Sequence, residues 1–271
     1  MKVKYAKYWD EVATRWSMNS YSNELLAEHK RKTHLNLVAR WAVVTNNQRI
    51  LKTDLFEEAF GSDQFLFDLA EANSNIVGID VSNEIVKRAK RNAKHYGVAG
   101  EYICCSVRQL PLRSDSIDLI ISDSTLDHFP DQRDIVAALQ ELRRVLCVGG
   151  TLILTIDNKA NLTYPPYIFI RVWMLLGLAA YFIGKTLSPN ELRHTLEESG
   201  FSVEESTAIF HYPHPDGLVR IVERFLRWLG KGKFNNAIRK SLTFLDKLEG
   251  KRTKYLTGRY IAVKAVKVET P

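Results

Sequence analysis

A doubly wound α/β sheet is the fold this sequence predicts, on three observations. Short apolar runs at 50–54, 76–80, 117–122 and 151–156 alternate with stretches of helical periodicity. The runs at 117–122 and 151–156 each hold three successive apolar residues, Leu119-Ile120-Ile121 and Leu152-Ile153-Leu154, without the alternation of a half-exposed strand, as strands buried on both faces do. The first two are joined by enough chain for one helix. That makes a right-handed βαβ unit, with ligand space at the carboxyl ends of its strands.

The elements follow in order. Residues 5–45 read as helical, with Tyr5, Tyr8, Trp9, Val12 and Trp16 at helical spacing and Leu35, Leu37, Val38 and Trp41 further on. The strand at 50–54 leads through an acidic loop to a helix over 62–72. The strand at 76–80 closes on Asp80. Ser82 is an N-cap for a helix to Tyr96, and Gly97 stands where a C′ glycine belongs. A strand is expected over 101–105, and another over 117–122. Residues 131–146 form a helix with Ile135, Ala138, Leu139, Leu142 and Leu146 on one face. Gly149-Gly150 turns the chain into the strand at 151–156. Ser188-Pro189-Asn190-Glu191 is a capping box with proline at the first helical position, and its helix stops at Gly200. The last strands are 201–210 and 259–267.

With 271 residues, 45% hydrophobic and 25% charged, the chain suits one domain over 1–271. Residues 1–47 are a helical cap. Segments 158–187 and 211–257 break the alternation and read as insertions that form a lid. Three cysteines, two of them adjacent, give no disulfide framework, and the amino terminus lacks a signal-like apolar run. A cytoplasmic setting is expected. Residues 217–254 hold eleven Lys/Arg against three acids, a local +8 in a chain whose formal net charge is +7. That segment is either a solvated helix face or a surface for an anionic substrate or a membrane. Its two amphipathic stretches read as a helical hairpin. The apolar run 172–183 is too short to span a bilayer and suits a lid helix. Nucleic acid is disfavoured, since no RNA-binding module or aromatic stacking motif accompanies the charge. Oligomeric state is not legible.

Four motifs carry a family resemblance. Val77-Gly78-Ile79-Asp80-Val81-Ser82 resembles the acidic end of the second strand in class I S-adenosylmethionine (SAM) dependent methyltransferases of the small-molecule type. Leu110-Pro111-Leu112 with Ser116-Ile117-Asp118-Leu119-Ile120 is similar to that family's run into strand four. Leu126-Asp127-His128-Phe129-Pro130-Asp131 resembles the loop after it, and Leu142 to Gly150 the turn into strand five. The resemblance implies a seven-stranded, mostly parallel Rossmann-like sheet ordered 3-2-1-4-5-7-6, with the last-numbered strand antiparallel. It also implies SAM as cofactor, with Asp80 at the ribose. The chain departs from the family's first motif: after Asp54 stand Phe56, Glu58 and Phe60, not glycines, and Gly61 comes late. A non-glycine loop approaches a ligand less closely. SAM has no phosphate and carries a sulfonium and an ammonium, so acids in this loop suit it.

The expected cofactor residues are Asp54, Glu58, Gly61, Asp80, Val81, Ser106, Val107 and Asp123. Ser106 stands where the family often has an aspartate for adenine. His128 and Asp127 are the catalytic candidates. His128 is a base or an orienting group, or else a structural cap, and adjacent side chains usually point apart. His211, His214 and Asp216 do not make a metal site, since prolines impose an extended path and a third ligand is missing. No metal is expected. Gly184-Lys185-Thr186 lacks the rest of a phosphate loop. The expected function is methyl transfer from SAM to an apolar or amphiphilic small molecule, at oxygen. The alternative is a non-catalytic binding module that kept the fold and lost SAM.

Overall fold

The computed structural model describes residues 2–16, 24–61, 63–72, 75–175, 182–212 and 235–269. Two helices, α1 (Lys2–Arg15) and α2 (Glu24–Trp41), precede β1 (Ile50–Thr53). Then come α3 (Phe56–Phe60), α4 (Phe65–Ala72), β2 (Ile76–Asp80), α5 (Asn83–His95), β3 (Glu101–Cys104) and β4 (Ile117–Asp123). A 3-10 turn (Leu126–His128) leads into α6 (Gln132–Val145) and β5 (Leu146–Asp157). The chain continues through α7 (Tyr167–Leu175), α8 (Pro189–Glu198), β6 (Phe201–Ile209), α9 (Asn235–Asp246), α10 (Lys254–Thr257) and β7 (Tyr260–Lys267).

The sheet order is β3-β2-β1-β4-β5-β7-β6, and β7 runs antiparallel to both β5 and β6. This is the expected order and the expected reversed strand, and it excludes an ordinary nicotinamide-binding sheet. The order reverses between β1 and β4, whose Thr53 and Ser122 face each other in register. A ligand crevice opens there. Successive strand residues point to opposite faces. Ile50, Ile76, Leu119 and Ile121 pack under α2, α4 and α5. Leu51, Val77, Ile120 and Leu152 pack under α6 and α8.

Local signals placed several boundaries. Ser82 Oγ accepts from Ile85 N at the start of α5, and Gly97 has φ +69° just past its end. Ser188 and Glu191 form both halves of the capping box. Replacing Ser188 with alanine is expected to cost about 1 kcal/mol, readable as a lower urea midpoint at unchanged slope. Gly149, at φ +75°, makes the turn within β5 that only glycine adopts readily.

One expectation fails locally. Residues 56–60 are helical, not loop, because Asp54 adopts φ +70° and its Oδ1 accepts from Phe56 N at 2.7 Å. That turn opens a helix at once. The start of the first insertion is bound to the end of the second. Asn158 Nδ2 donates to the carbonyls of Tyr255 (2.7 Å) and Gly258 (2.8 Å), and Asn161 Nδ2 to those of Thr257 and Gly258 (both 2.9 Å). The first amphipathic stretch of the basic segment, from Leu218 to Lys231, and the turn of its hairpin lie outside the described residues, as do His214 and Asp216. No described helix is long and apolar enough to cross a membrane.

Candidate active site

A cleft of about 1180 Å3, open to solvent, lies over the carboxyl ends of β1, β2 and β4. Asp80 is its best-anchored group. Oδ2 accepts from Leu55 N at 3.0 Å and Oδ1 from Ser82 N at 2.8 Å, which fixes the carboxylate while leaving each oxygen a second lone pair. Burial pushes its pKa up to about 6. Ile79, Val81, Ser106 and Val107 line the same end of the cleft. A carboxylate beside such a wall can accept from two adjacent hydroxyls and leave an apolar slot for a flat ring.

The middle of the cleft is acidic. Asp54, Glu57, Asp63, Asp80 and Asp123 all line it. Burial, then Glu57 and Asp80, raise the Asp54 pKa well above normal; burial, then Glu57, raise Asp63 to about 7. Asp123 is the exception. Burial alone would raise its pKa, but His34 and Lys52 nearby and the Thr155 hydroxyl hold it far below the usual carboxylate range. His34 Nε2 stands 3.0 Å from Asp123 Oδ1, and its ring stacks on Phe65 with centroids 4.9 Å apart. The hydroxyls of Thr53, Ser122 and Thr125 link β1 to β4 beneath.

The far wall is aromatic. His128 meets the edge of Trp9 (4.9 Å between centroids), and Tyr5 stacks on Phe129 (5.9 Å) while donating to the His128 carbonyl. His128 Nδ1 lies 3.1 Å from the Phe182 carbonyl. A carbonyl only accepts, so Nδ1 carries the proton and a neutral ring has its lone pair on Nε2. Gly184 N and Lys185 N donate to the carbonyls of Asp127 and Phe129, laying 182–187 against this turn. A Cβ on Gly184 would come within 2.4 Å of the Phe129 carbonyl. Gly184→Ala is therefore expected to lift the segment, cost roughly 1–3 kcal/mol and release His128. The check is a His128 imidazole NMR signal that moves in the variant.

Of the expected cofactor residues, Asp54, Asp80, Val81, Ser106, Val107 and Asp123 line the cleft together. Glu58 and Gly61 do not. Glu58 is fully buried, with Oε2 2.8 Å from the equally buried Lys52 Nζ and Oε1 accepting from Leu66 N. A lysine inside an apolar strand needs a carboxylate, and Glu58 answers that need instead of facing a ligand. Gly61 is turned into the loop, where an added Cβ would meet Asp63. His128 lines the cleft, but Asp127 is not its partner. The Asp127 carboxylate turns inward and accepts from Ser124 Oγ and Asp157 N, both at 2.9 Å. The histidine–carboxylate pair the site does contain, His34–Asp123, was not legible. Tyr5, Trp9, Trp16, Lys30 and His34 reach the cleft from α1, α2 and the residue that follows α1. His211 is structural, its Nε2 donating to the Ala208 carbonyl at 3.0 Å, and no metal-binding group is present among the described residues.

Residues 57–154 match a family model described as a methyltransferase domain. A human protein named ubiquinone biosynthesis O-methyltransferase, mitochondrial, is 24% identical over 76% of this chain and 56% of its own length. The human U6 snRNA (guanine-N(2))-methyltransferase THUMPD2 is 41% identical over 32% of this chain and 18% of its own. The chain thus spans about half of one relative and under a fifth of the other. Among solved structures, one titled as the [4+2]-cyclase SpnF superposes with a TM-score of 0.59 at 19% identity, covering 88% of this chain and 81% of that one. That likeness shows the fold alone.

Proposed function

We propose, on the premise that residues 57–154 are a methyltransferase domain of the SAM-dependent class on a class I fold, that this protein methylates an apolar or amphiphilic small molecule at oxygen. The observation that carries the cofactor half is Asp80, whose two oxygens are backbone-anchored yet retain lone pairs for a ribose diol. The acids over β1 fit a ligand bearing a sulfonium and an ammonium. When bound, SAM supplies a methyl group already activated as an electrophile. What remains for the protein is orientation, exclusion of water and acceptance of the acceptor's proton. The wall of Tyr5, Trp9, His128 and Phe129 supplies an apolar face with one nitrogen lone pair, which suits a hydroxyl on a ring or chain. The ubiquinone-pathway relative, an O-methyltransferase by name, supports oxygen as the target. The part shared with the RNA methyltransferase is too small to carry its acceptor across.

Segments 158–187 and 211–257 are read as the acceptor lid, in a cytoplasmic protein with a peripheral contact to amphiphile or membrane through the basic segment. Flotation with anionic vesicles at low salt checks that contact; protein left at the bottom of the gradient rejects it. The second reading, a module that kept the fold and lost SAM, is favoured by one observation: the glycine positions of the loop are filled by α3 and the Lys52–Glu58 pair. A thermal shift separates the two. Ligand at 100 times its dissociation constant stabilises by about 2.7 kcal/mol. No shift with millimolar S-adenosylhomocysteine would favour the module.

The shift should also depend on pH. Asp80 and Asp63 have folded pKa values of about 6 and about 7 against an ordinary 3.8. Their protonated forms stabilise the unliganded fold at low pH, and that contribution is lost as pH rises through 6 to 7. A cationic ligand favours the charged forms. The stabilisation by SAM should therefore grow from pH 5.5 to 7.5, and a shrinking effect over that interval would contradict the acidic subsite.

A further inference from the structure

We propose that His34 is the base that takes the acceptor's proton, with Asp123 meeting the charge the ring gains. The inference rests on the SAM reading above and deepens it by naming the group that receives the proton. A ligand anchored by Asp80 at the end of β2 runs across β1 towards β4, the strand that Asp123 closes. His34 lines the cleft at that point from α2, with Nε2 3.0 Å from Asp123 Oδ1.

The two ring nitrogens differ. Nε2 is sealed from solvent and, despite its closeness to Asp123, makes no aligned hydrogen bond. Nδ1 is not sealed, and it makes no hydrogen bond among the described residues. A buried polar atom left in this way calls for a catalytic or ligand-linked explanation, and a base commonly aligns with its partner only in the complex with substrate. The ring itself is clamped. Phe65 stacks on it with centroids 4.9 Å apart, and Phe210 meets it edge-on at 5.3 Å. Backbone strain flanks the pair: Phe210 has φ +58°, and Ser124, directly after Asp123, has φ +43°. A bulky residue keeps that conformation only where its surroundings over-determine it, and such positions gather at functional sites.

His128 is placed differently. Its Nδ1 donates to the Phe182 carbonyl, and its neighbour Asp127 turns inward to Ser124 and Asp157. His128 orients the acceptor from the far wall, and the histidine with a carboxylate to meet an imidazolium charge is His34. The acceptor oxygen bonds to the methyl carbon and displaces a neutral thioether, which keeps the electron pair of the broken bond. The hydroxyl proton passes to His34 Nδ1, and from there to water.

Two phenols test the assignment at pH 8: catechol, which keeps its proton there, and 4-nitrocatechol, whose hydroxyl is largely ionised and needs no base. His34→Gln should slow methyl transfer to catechol by about 100-fold or more and leave transfer to 4-nitrocatechol within roughly threefold. Without turnover, catechol should bind the variant loaded with S-adenosylhomocysteine roughly 2- to 10-fold more weakly than it binds the loaded parent, the loss of one hydrogen bond. A parallel loss for both phenols marks a structural role and overturns the proposal, as do unchanged rates or unchanged catechol binding. The selective pattern in His128→Gln instead of His34→Gln overturns it too, and moves the base to the far wall. If the unaltered protein binds S-adenosylhomocysteine and methylates neither phenol, phenolic oxygen is rejected and the assignment with it, while the SAM reading stands. If it does not bind S-adenosylhomocysteine, the SAM reading and the assignment fall together.

Discussion

Replacing Asp80 with alanine is expected to weaken S-adenosylhomocysteine binding by on the order of 100-fold, since two charge-assisted hydrogen bonds of about 1.5–3 kcal/mol each are at stake. Part of that loss comes from the loop itself. Without the carboxylate, Leu55 N and Ser82 N lose their acceptors, and both ends of the βαβ unit loosen. The melting temperature of the unliganded variant reads that structural part separately from the titration. Equal affinity in the variant and the parent would remove Asp80 from the ribose and leave the cleft without its principal anchor.

Replacing Lys52 with methionine should cost about 3–5 kcal/mol, the usual penalty for leaving one member of a buried ion pair alone. In a chain of this size that is a fall of roughly 6–20 °C in melting temperature. Lys52 Nζ reaches Glu58 Oε2 and the Asp54 carbonyl at 2.8 Å each, and lies 4.9 Å from the Phe65 ring centre. Burial disfavours its charge, but Glu58 and Glu57 hold it protonated. Burial likewise raises the Glu58 carboxyl against the pull of Lys52. Without Lys52 that carboxyl protonates more readily, so the penalty should narrow between pH 7.5 and pH 5. Denaturant melts at the two values check this. A second change, Glu58→Leu in the same chain, should restore much of the stability. If it restores none, the pair is not what fills the loop.

The sheet was legible because its signals are local or periodic. The strands are apolar runs, the breaks are glycines at 97 and 149, and Ser188 and Glu191 announce a helix within four residues. The place of Asp80 in the cleft was legible because the carboxyl end of a parallel strand opens onto the crevice where the strand order reverses. The inward turn of Glu58 has one signal in the sequence: Lys52 sits within an apolar strand, and such a lysine implies a nearby buried acid. Lys30 and His34 gave less to read. Helical periodicity shows that 24–41 coils, but which face meets the cleft is set by how α2 packs on the sheet. Asp127 and His128 are neighbours in sequence and diverge in space, because the 3-10 turn sends one side chain to the interior and the other to the cleft.

The two asparagines near residue 160 bear on any attempt to graft new segments onto this fold. Asn158 and Asn161 each hold two carbonyls from residues 255–258, nearly a hundred positions later. A chimera that exchanges 158–187 alone, with other residues at these two positions, would strand those carbonyls without donors and unseat α10. Residues 254–258 would have to travel with the graft. For recombination, whether in the laboratory or in evolution, these hydrogen bonds couple two distant stretches into one cassette, and a stable chimera is expected only when both are exchanged together.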